Sequence, residues 1–216
     1  TSGERLDGGK DKDNATDSSD ATKITYYTPR VNGFQAGYSY VPNTAAAGSE
    51  VERNSATEAE FHEASIGYKG KAGGAKFEVV GNFTRGEGES TGTDPNQSYR
   101  ISGRVSTGPW SVAASYVDRN QHDYAKGSDE KAFMVGAAYK TGRMTIALTH
   151  LQSELTATET AFNDDYKQTS LSVGYNLGGG LKIAAGIAKF DMDADATATT
   201  NSNDGTVALV KIGAKF

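Results

Sequence analysis

The stretch Thr206-Val207-Ala208-Leu209-Val210-Lys211-Ile212-Gly213-Ala214-Lys215-Phe216 ends the chain. Its small or apolar side chains alternate with polar ones, and a two-residue period sends successive side chains to opposite faces of a β-strand. An alternating segment with a terminal aromatic reads as the closing strand of an outer-membrane β-barrel, whose two faces meet lipid and lumen in turn.

Working back from that segment, the same alternation bounded by turn residues predicts eleven strands, near residues 23–30, 33–41, 60–69, 74–84, 98–106, 110–119, 130–140, 143–153, 166–176, 181–190 and 205–216. The connections alternate in length. Val31-Asn32, Gly70 to Gly73, Thr107-Gly108-Pro109, Thr141-Gly142 and Leu177 to Gly180 are short and rich in residues that suit tight turns. The others, near 42–59, 85–97, 120–129, 154–165 and 191–204, are long and acidic, with Glu50, Glu52, Glu58, Glu87, Glu89, Asp123, Asp129, Glu159, Asp164, Asp191, Asp193 and Asp195. Such sorting trims one end and elaborates the other, as in barrels with short periplasmic turns and long outer loops. A soluble sandwich has no reason to sort its loops this way.

Composition agrees. The chain has no cysteine, which excludes disulfide scaffolds and thiolate metal sites, and its net charge of −5 gives no basic footprint for nucleic acid. No stretch approaches the roughly 18 apolar residues of a membrane helix. A barrel strand needs no such stretch, because only every second side chain faces lipid.

The best-alternating strands assign the faces. Phe34, Tyr38, Ile66, Tyr68, Trp110, Val112, Tyr116, Phe133, Val135, Tyr139, Ile146, Leu148, Leu171, Val173 and Tyr175 share one face; Gln35, Gly37, Ser39, Ser65, Gly67, Ser111, Ser115, Thr145, Thr149, Ser170, Ser172 and Gly174 share the other. The second set is small and polar, so the interior is predicted to be wet. Phe34, Tyr68, Trp110, Tyr139, Tyr175 and Phe216 fall beside short turns or the terminus, whereas Tyr40, Phe83, Tyr99, Tyr116 and Phe133 fall toward the long loops. Two belts of this kind match aromatic girdles at both membrane interfaces; aromatic cross-strand pairs in a soluble sheet are the blander alternative.

Catalytic chemistry finds little support. His62, His122 and His150 lie on separate hairpins, and there is neither a Gly-x-Ser-x-Gly elbow nor a His-Glu-x-x-His helix. Asp191-Met192-Asp193-Ala194-Asp195 resembles the start of a calcium loop, but Ala196 replaces the required glycine and Ser202 the closing glutamate, so no EF-hand and no metal ligand set is expected. The chain is therefore read as no enzyme and without a cofactor, apart from divalent cations bridging acidic loops to lipopolysaccharide phosphates.

Ile24-Thr25-Tyr26-Tyr27-Thr28-Pro29, Gly33-Phe34-Gln35-Ala36-Gly37-Tyr38-Ser39-Tyr40 with Pro42 following, and Val210 to Phe216 together resemble the general diffusion porins of Gram-negative outer membranes, particularly those of alphaproteobacterial type. The resemblance implies an all-β, antiparallel, sixteen-stranded transmembrane barrel of which this sequence holds the last eleven strands, over residues 23–216. It implies also that residues 1–22 end a constriction loop folded into the lumen, supplying Asp11, Asp13, Asp17 and Asp20 opposite a basic wall. Read alone, residues 1–22 are a polar, acidic tail; a complete smaller barrel would need a twelfth strand there, and the segment has almost no apolar alternation.

Alternation places Lys23, Lys76, Glu78, Arg100, Arg104, Arg119, Arg143, Lys182, Lys211 and Lys215 on the inward face as pore-lining candidates. The function implied is an outer-membrane channel for passive diffusion of ions and small hydrophilic solutes, as a homotrimer, in contact with lipid and lipopolysaccharide, and inserted by the barrel-assembly machinery through Phe216. A non-conducting barrel with a structural or adhesive role for its outer loops is the alternative; a soluble secreted β-protein is disfavoured by the apolar stripes.

Overall fold

The computed structural model describes residues 22–43, 58–88, 95–120, 128–157, 162–196 and 199–215. They form eleven strands: β1 (Ile24–Tyr27), β2 (Phe34–Asn43), β3 (Glu58–Ala72), β4 (Ala75–Gly88), β5 (Asn96–Thr107), β6 (Trp110–Asn120), β7 (Ser128–Thr141), β8 (Met144–Ala157), β9 (Phe162–Gly178), β10 (Leu181–Ala196) and β11 (Thr199–Ala214). Each pairs with the next in one sheet of order β1 to β11, and every pairing is antiparallel. No helix occurs among the described residues, and β1 and β11 are the two edges of an unclosed sheet.

The short turns show why the chain reverses where it does. Val31 and Phe34 exchange both backbone hydrogen bonds at 2.9 Å around Asn32 and Gly33, whose φ angles are 49° and 89°. Both central residues are left-handed, as a type I′ turn requires, and Asn-Gly is the dipeptide that adopts it most readily. The sequence had placed this turn one residue earlier, at Val31-Asn32. β1 also ends at Tyr27 rather than near residue 30, with one further backbone bond, from Thr28 N–H to Ala36 O at 2.9 Å, ahead of Pro29. Between β3 and β4 the turn contracts to Gly73-Gly74, and Lys71 and Ala72 belong to the strand.

At the other end the strands run further than alternation predicts. β9, β10 and β11 contain 17, 16 and 16 residues. At about 3.3 Å per residue a 16-residue strand spans roughly 50 Å, about twice an apolar band of about 25 Å. The stretch 191–204, expected as a loop, is largely a β-ribbon: Asp191 pairs with Asp204 and Asp193 with Ser202. Its outward positions include Asp191, Asp193, Ser202 and Asp204, so the apolar outward stripe ends while the backbone ladder continues, and Met192 takes the inward position.

The two faces differ as alternation requires. Phe34 opposite Tyr68, Ala36 opposite Ile66, Val112 opposite Ala137, Leu148 opposite Leu171 and Ile183 opposite Tyr175 build one apolar surface. Ile66, Ile101, Leu148 and Ile212 remain between 52% and 69% exposed on it. Five hydrophobic residues are buried among those described, Val41, Phe61, Val117, Ala132 and Ala188, and all share the opposite, polar face. A water-soluble sheet would hide its large apolar side chains; this one turns them outward, the arrangement lipid requires.

Candidate functional site

The polar face curls around a cavity of about 800 Å³ lined by β1 to β8, with Tyr27, Arg30, Ser65, Lys69, Glu78 and Arg104 among its walls. Its neutral lining is mostly small, with Gly67, Ser102, Ala113, Ser115, Gly136 and Ala147, and hydroxyls pair across adjacent strands along the same face. Thr25 meets Ser39 at 2.9 Å, Thr84 meets Ser98 at 2.7 Å, Ser102 meets Ser115 at 2.9 Å and Ser106 meets Ser111 at 2.7 Å. Each pair is a direct consequence of register, since short inward side chains opposite one another come within hydrogen-bond reach. Gly37 leaves room for the Tyr27 ring, which lies where a Cβ would sit, 2.6 Å from its nearest ring carbon. A wall of this kind is wettable and leaves its cavity unfilled.

The inward charges separate into two settings. Toward the short turns, Glu78 lies between two cations from neighbouring strands. Arg104 Nη2 donates to its Oε2 at 2.6 Å, and Lys69 Nζ stands 3.6 Å from its Oε1. All three side chains are substantially exposed, so each such pair contributes only about 0–1 kcal/mol to stability. Arg100 donates through Nε to the Ser102 hydroxyl at 3.2 Å. Lys76, Lys182 and Lys211, with Arg143 and Lys215, are exposed on the same face.

Toward the long connections the same face is buried. Arg119 Nη1 donates to Glu130 Oε2 at 2.8 Å across β6 and β7, with the two side chains 7% and 1% exposed. Thr84, Asn96, Ser98, Ser128 and Ser153 around them are buried too. Lys23, on the inward side of β1, lies 3.7 Å from Glu63.

Every described residue of the predicted pore-lining set therefore lies on the polar face: Lys23, Lys76, Glu78, Arg100, Arg104, Arg119, Arg143, Lys182, Lys211 and Lys215. Alternation missed Lys69, Lys71 and Lys140 there, together with Glu63 and Glu130. Extending the parity of Gly67 and Ala138 by one or two steps would have found the lysines. Asp11, Asp13, Asp17, Asp20 and Phe216 lie outside the described residues.

The aromatic residues pair on the outward face. Phe34 and Tyr68 rings are 4.7 Å apart beside one short turn, and Trp110 and Tyr139 are 4.7 Å apart beside another. Tyr175 sits opposite Met144 at the same level. Higher up, Phe83 and Tyr99 are 5.2 Å apart, and Tyr116 faces Phe133. The two described histidines are outward as well: the Tyr38 hydroxyl lies 2.6 Å from His62 Nδ1, and His150 Nδ1 lies 2.9 Å from the Thr169 hydroxyl. Among the described residues no three His, Asp or Glu side chains are grouped to hold a metal ion.

Comparisons with known proteins agree with this architecture. In fold the chain is similar to OmpT, an outer membrane protein of Vibrio cholerae, with a TM-score of 0.57 and 15% identity over 88% of this chain and 63% of that one. It is similar also to an anion-selective porin from Comamonas acidovorans, with a TM-score of 0.58 and 16% identity over 89% of this chain and 59% of that one. In sequence it is 27% identical over 158 residues to an uncharacterized protein of Rickettsia bellii (strain RML369-C), covering 73% of this chain and 30% of that protein. The chain thus spans less than two thirds of the length of each. The family model for Gram-negative porins matches residues 2–195, without narrowing to the alphaproteobacterial type. That match starts ahead of β1 and runs to the penultimate residue of β10, through ten of the eleven strands, and makes the chain a member of the Gram-negative porin family, whose place is the outer membrane.

Proposed function

We propose that the chain forms the wall of a water-filled channel through which ions and small hydrophilic solutes diffuse passively, without an enzymatic step. The observation that carries this reading is the pairing of an exposed apolar outer face with an inner face of serine, threonine, glycine and lysine around an 800 Å³ cavity. Water and ions pass a wall whose width limits size and whose charges set ion preference. The wall residues are Lys23, Lys76, Glu78, Arg100, Arg104, Lys182 and Lys211, and Asp11, Asp13, Asp17 and Asp20 supply an acidic constriction facing them. The Phe34, Tyr68, Trp110, Tyr116, Tyr139 and Tyr175 rings anchor the wall at the interfaces. The functional unit is a homotrimer in lipid and lipopolysaccharide, with divalent cations bridging the acidic outer end and Phe216 recognised by the barrel-assembly machinery.

One observation favours the alternative of a non-conducting barrel with a structural or adhesive role: the buried inner face around Arg119 and Glu130. Single-channel recording of the full-length protein in a planar bilayer separates the two. Steady ohmic steps, grouped in threes, are expected for the channel. A heat-resistant, membrane-inserted barrel that never conducts would replace it with the alternative.

A further inference from the structure

The polar face is not uniformly basic along its length. Its short-turn rim carries Lys71, Lys76, Lys140, Arg143, Lys182 and Lys215, all exposed. None of the six makes an ion pair with a described residue. In the short-turn half of that face Glu78 is the sole carboxylate among the described residues, and Arg104 and Lys69 already hold it. Arg30 reinforces the rim from the β1–β2 turn, fixed by donation to Gly33 O at 2.8 Å and Gln35 Oε1 at 2.6 Å.

Register sharpens the point. Lys71 and Lys76 are direct cross-strand partners on one face. Like charges placed so repel and weaken a sheet pair. Lys140 precedes the tight turn Gly142-Arg143, which joins the cross-strand partners Thr141 and Met144, and Lys182 lies opposite Asn176 and Gly213, near Lys215. Six cations without an ion pair among the described residues, set along one rim with low-dielectric lipid behind the wall, focus a positive potential into the opening.

We infer that this rim is a binding collar for small multivalent oxyanions, the class of phosphate esters and polycarboxylates, and that it recruits them to the short-turn mouth. Attraction grows with ligand charge, so a divalent or trivalent anion gains over chloride at each lysine, and the neighbouring hydroxyl pair Ser106–Ser111 offers donors to the same oxygens. The inference rests on the channel reading for its transport role and not for its binding.

Binding and conduction are therefore measured separately on the full-length protein refolded in detergent, with inorganic pyrophosphate as probe. Isothermal titration is expected to show saturable binding at about 0.1 M KCl that fades toward about 1 M, where the Debye length falls from about 10 to about 3 Å. The triple variant K140Q/R143Q/K182Q is expected to bind about tenfold or more weakly, whereas K140R/K182R, which keeps the charge, retains binding. In planar bilayers pyrophosphate is expected to reduce chloride conductance of the wild type and to spare the triple variant, whose reversal potential in a salt gradient moves away from the chloride side. Absence of pyrophosphate binding, or equal binding by the triple variant, overturns the collar. Binding that disappears in the triple variant, from a protein that does not conduct, upholds the collar and overturns the channel.

Discussion

The two halves of the inner face are built from the same strands and the same side-chain classes, yet they spend their charges differently. Near the short turns, cations outnumber the lone carboxylate Glu78 and stay in solvent. Near the long connections, Arg119 is matched to Glu130 and Lys23 to Glu63, and the surrounding hydroxyls are buried. Charge in the first half is available to a passing solute; charge in the second is used within the protein. Stability and selectivity are thus expected to respond to different substitutions.

The largest effect belongs to the buried pair. Glu130→Ala leaves the Arg119 guanidinium buried without its carboxylate partner, and breaking such a pair costs about 3–5 kcal/mol. Urea unfolding of the refolded barrel is expected to show that loss, and the double replacement R119M/E130L to recover most of it; an unchanged midpoint in Glu130→Ala would erase the distinction between the halves.

A smaller loss is expected where the short-turn half depends on backbone geometry. Gly33 has φ of 89°, and a Cβ there would lie 2.4 Å from the Lys69 carbonyl oxygen. Gly33→Ala is expected to cost about 1–3 kcal/mol in the same unfolding assay. The ion selectivity of any folded fraction should stay as it was, because no charge has changed.

Smallest in stability is Glu78→Gln, expected to shift unfolding by no more than about 1 kcal/mol because its ion pairs are exposed. Its signature is electrical: Arg104 and Lys69 lose their carboxylate, and the reversal potential in a salt gradient should move toward anions. A large stability loss with fixed selectivity would assign Glu78 to the structural half instead.

The sequence made the membrane-spanning part of each strand readable, because lipid on one side and water on the other impose a period of two on residues such as Trp110 to Tyr116 and Phe133 to Tyr139. Register and inward charge followed from that period, which is why Lys76, Arg104 and Lys182 could be placed on the polar face. Above the upper aromatics the outward face carries aspartates instead of apolar residues, so the β10–β11 ribbon around Asp191 and Asp193 reads as an acidic loop. Burial of Arg119 with Glu130 was illegible for a different reason: alternation gives the face of a side chain but not what lies over it. The β1–β2 turn lies at Asn32-Gly33 instead of Val31-Asn32, because Val31 still pairs with Phe34 across it.

The ladder joining Lys189–Ala196 to Thr199–Thr206 also governs how this surface can change over generations. A one-residue insertion in such a strand would exchange its inner and outer side chains from that point onward. Length variation in the ribbon is therefore quantised: lineages can lengthen or shorten it in matched two-residue steps on both strands, or confine irregular changes to its tip. Homologues of this protein should differ in ribbon height by even increments, with Asp191 and Asp193 keeping their outward side while the residues beyond them diverge.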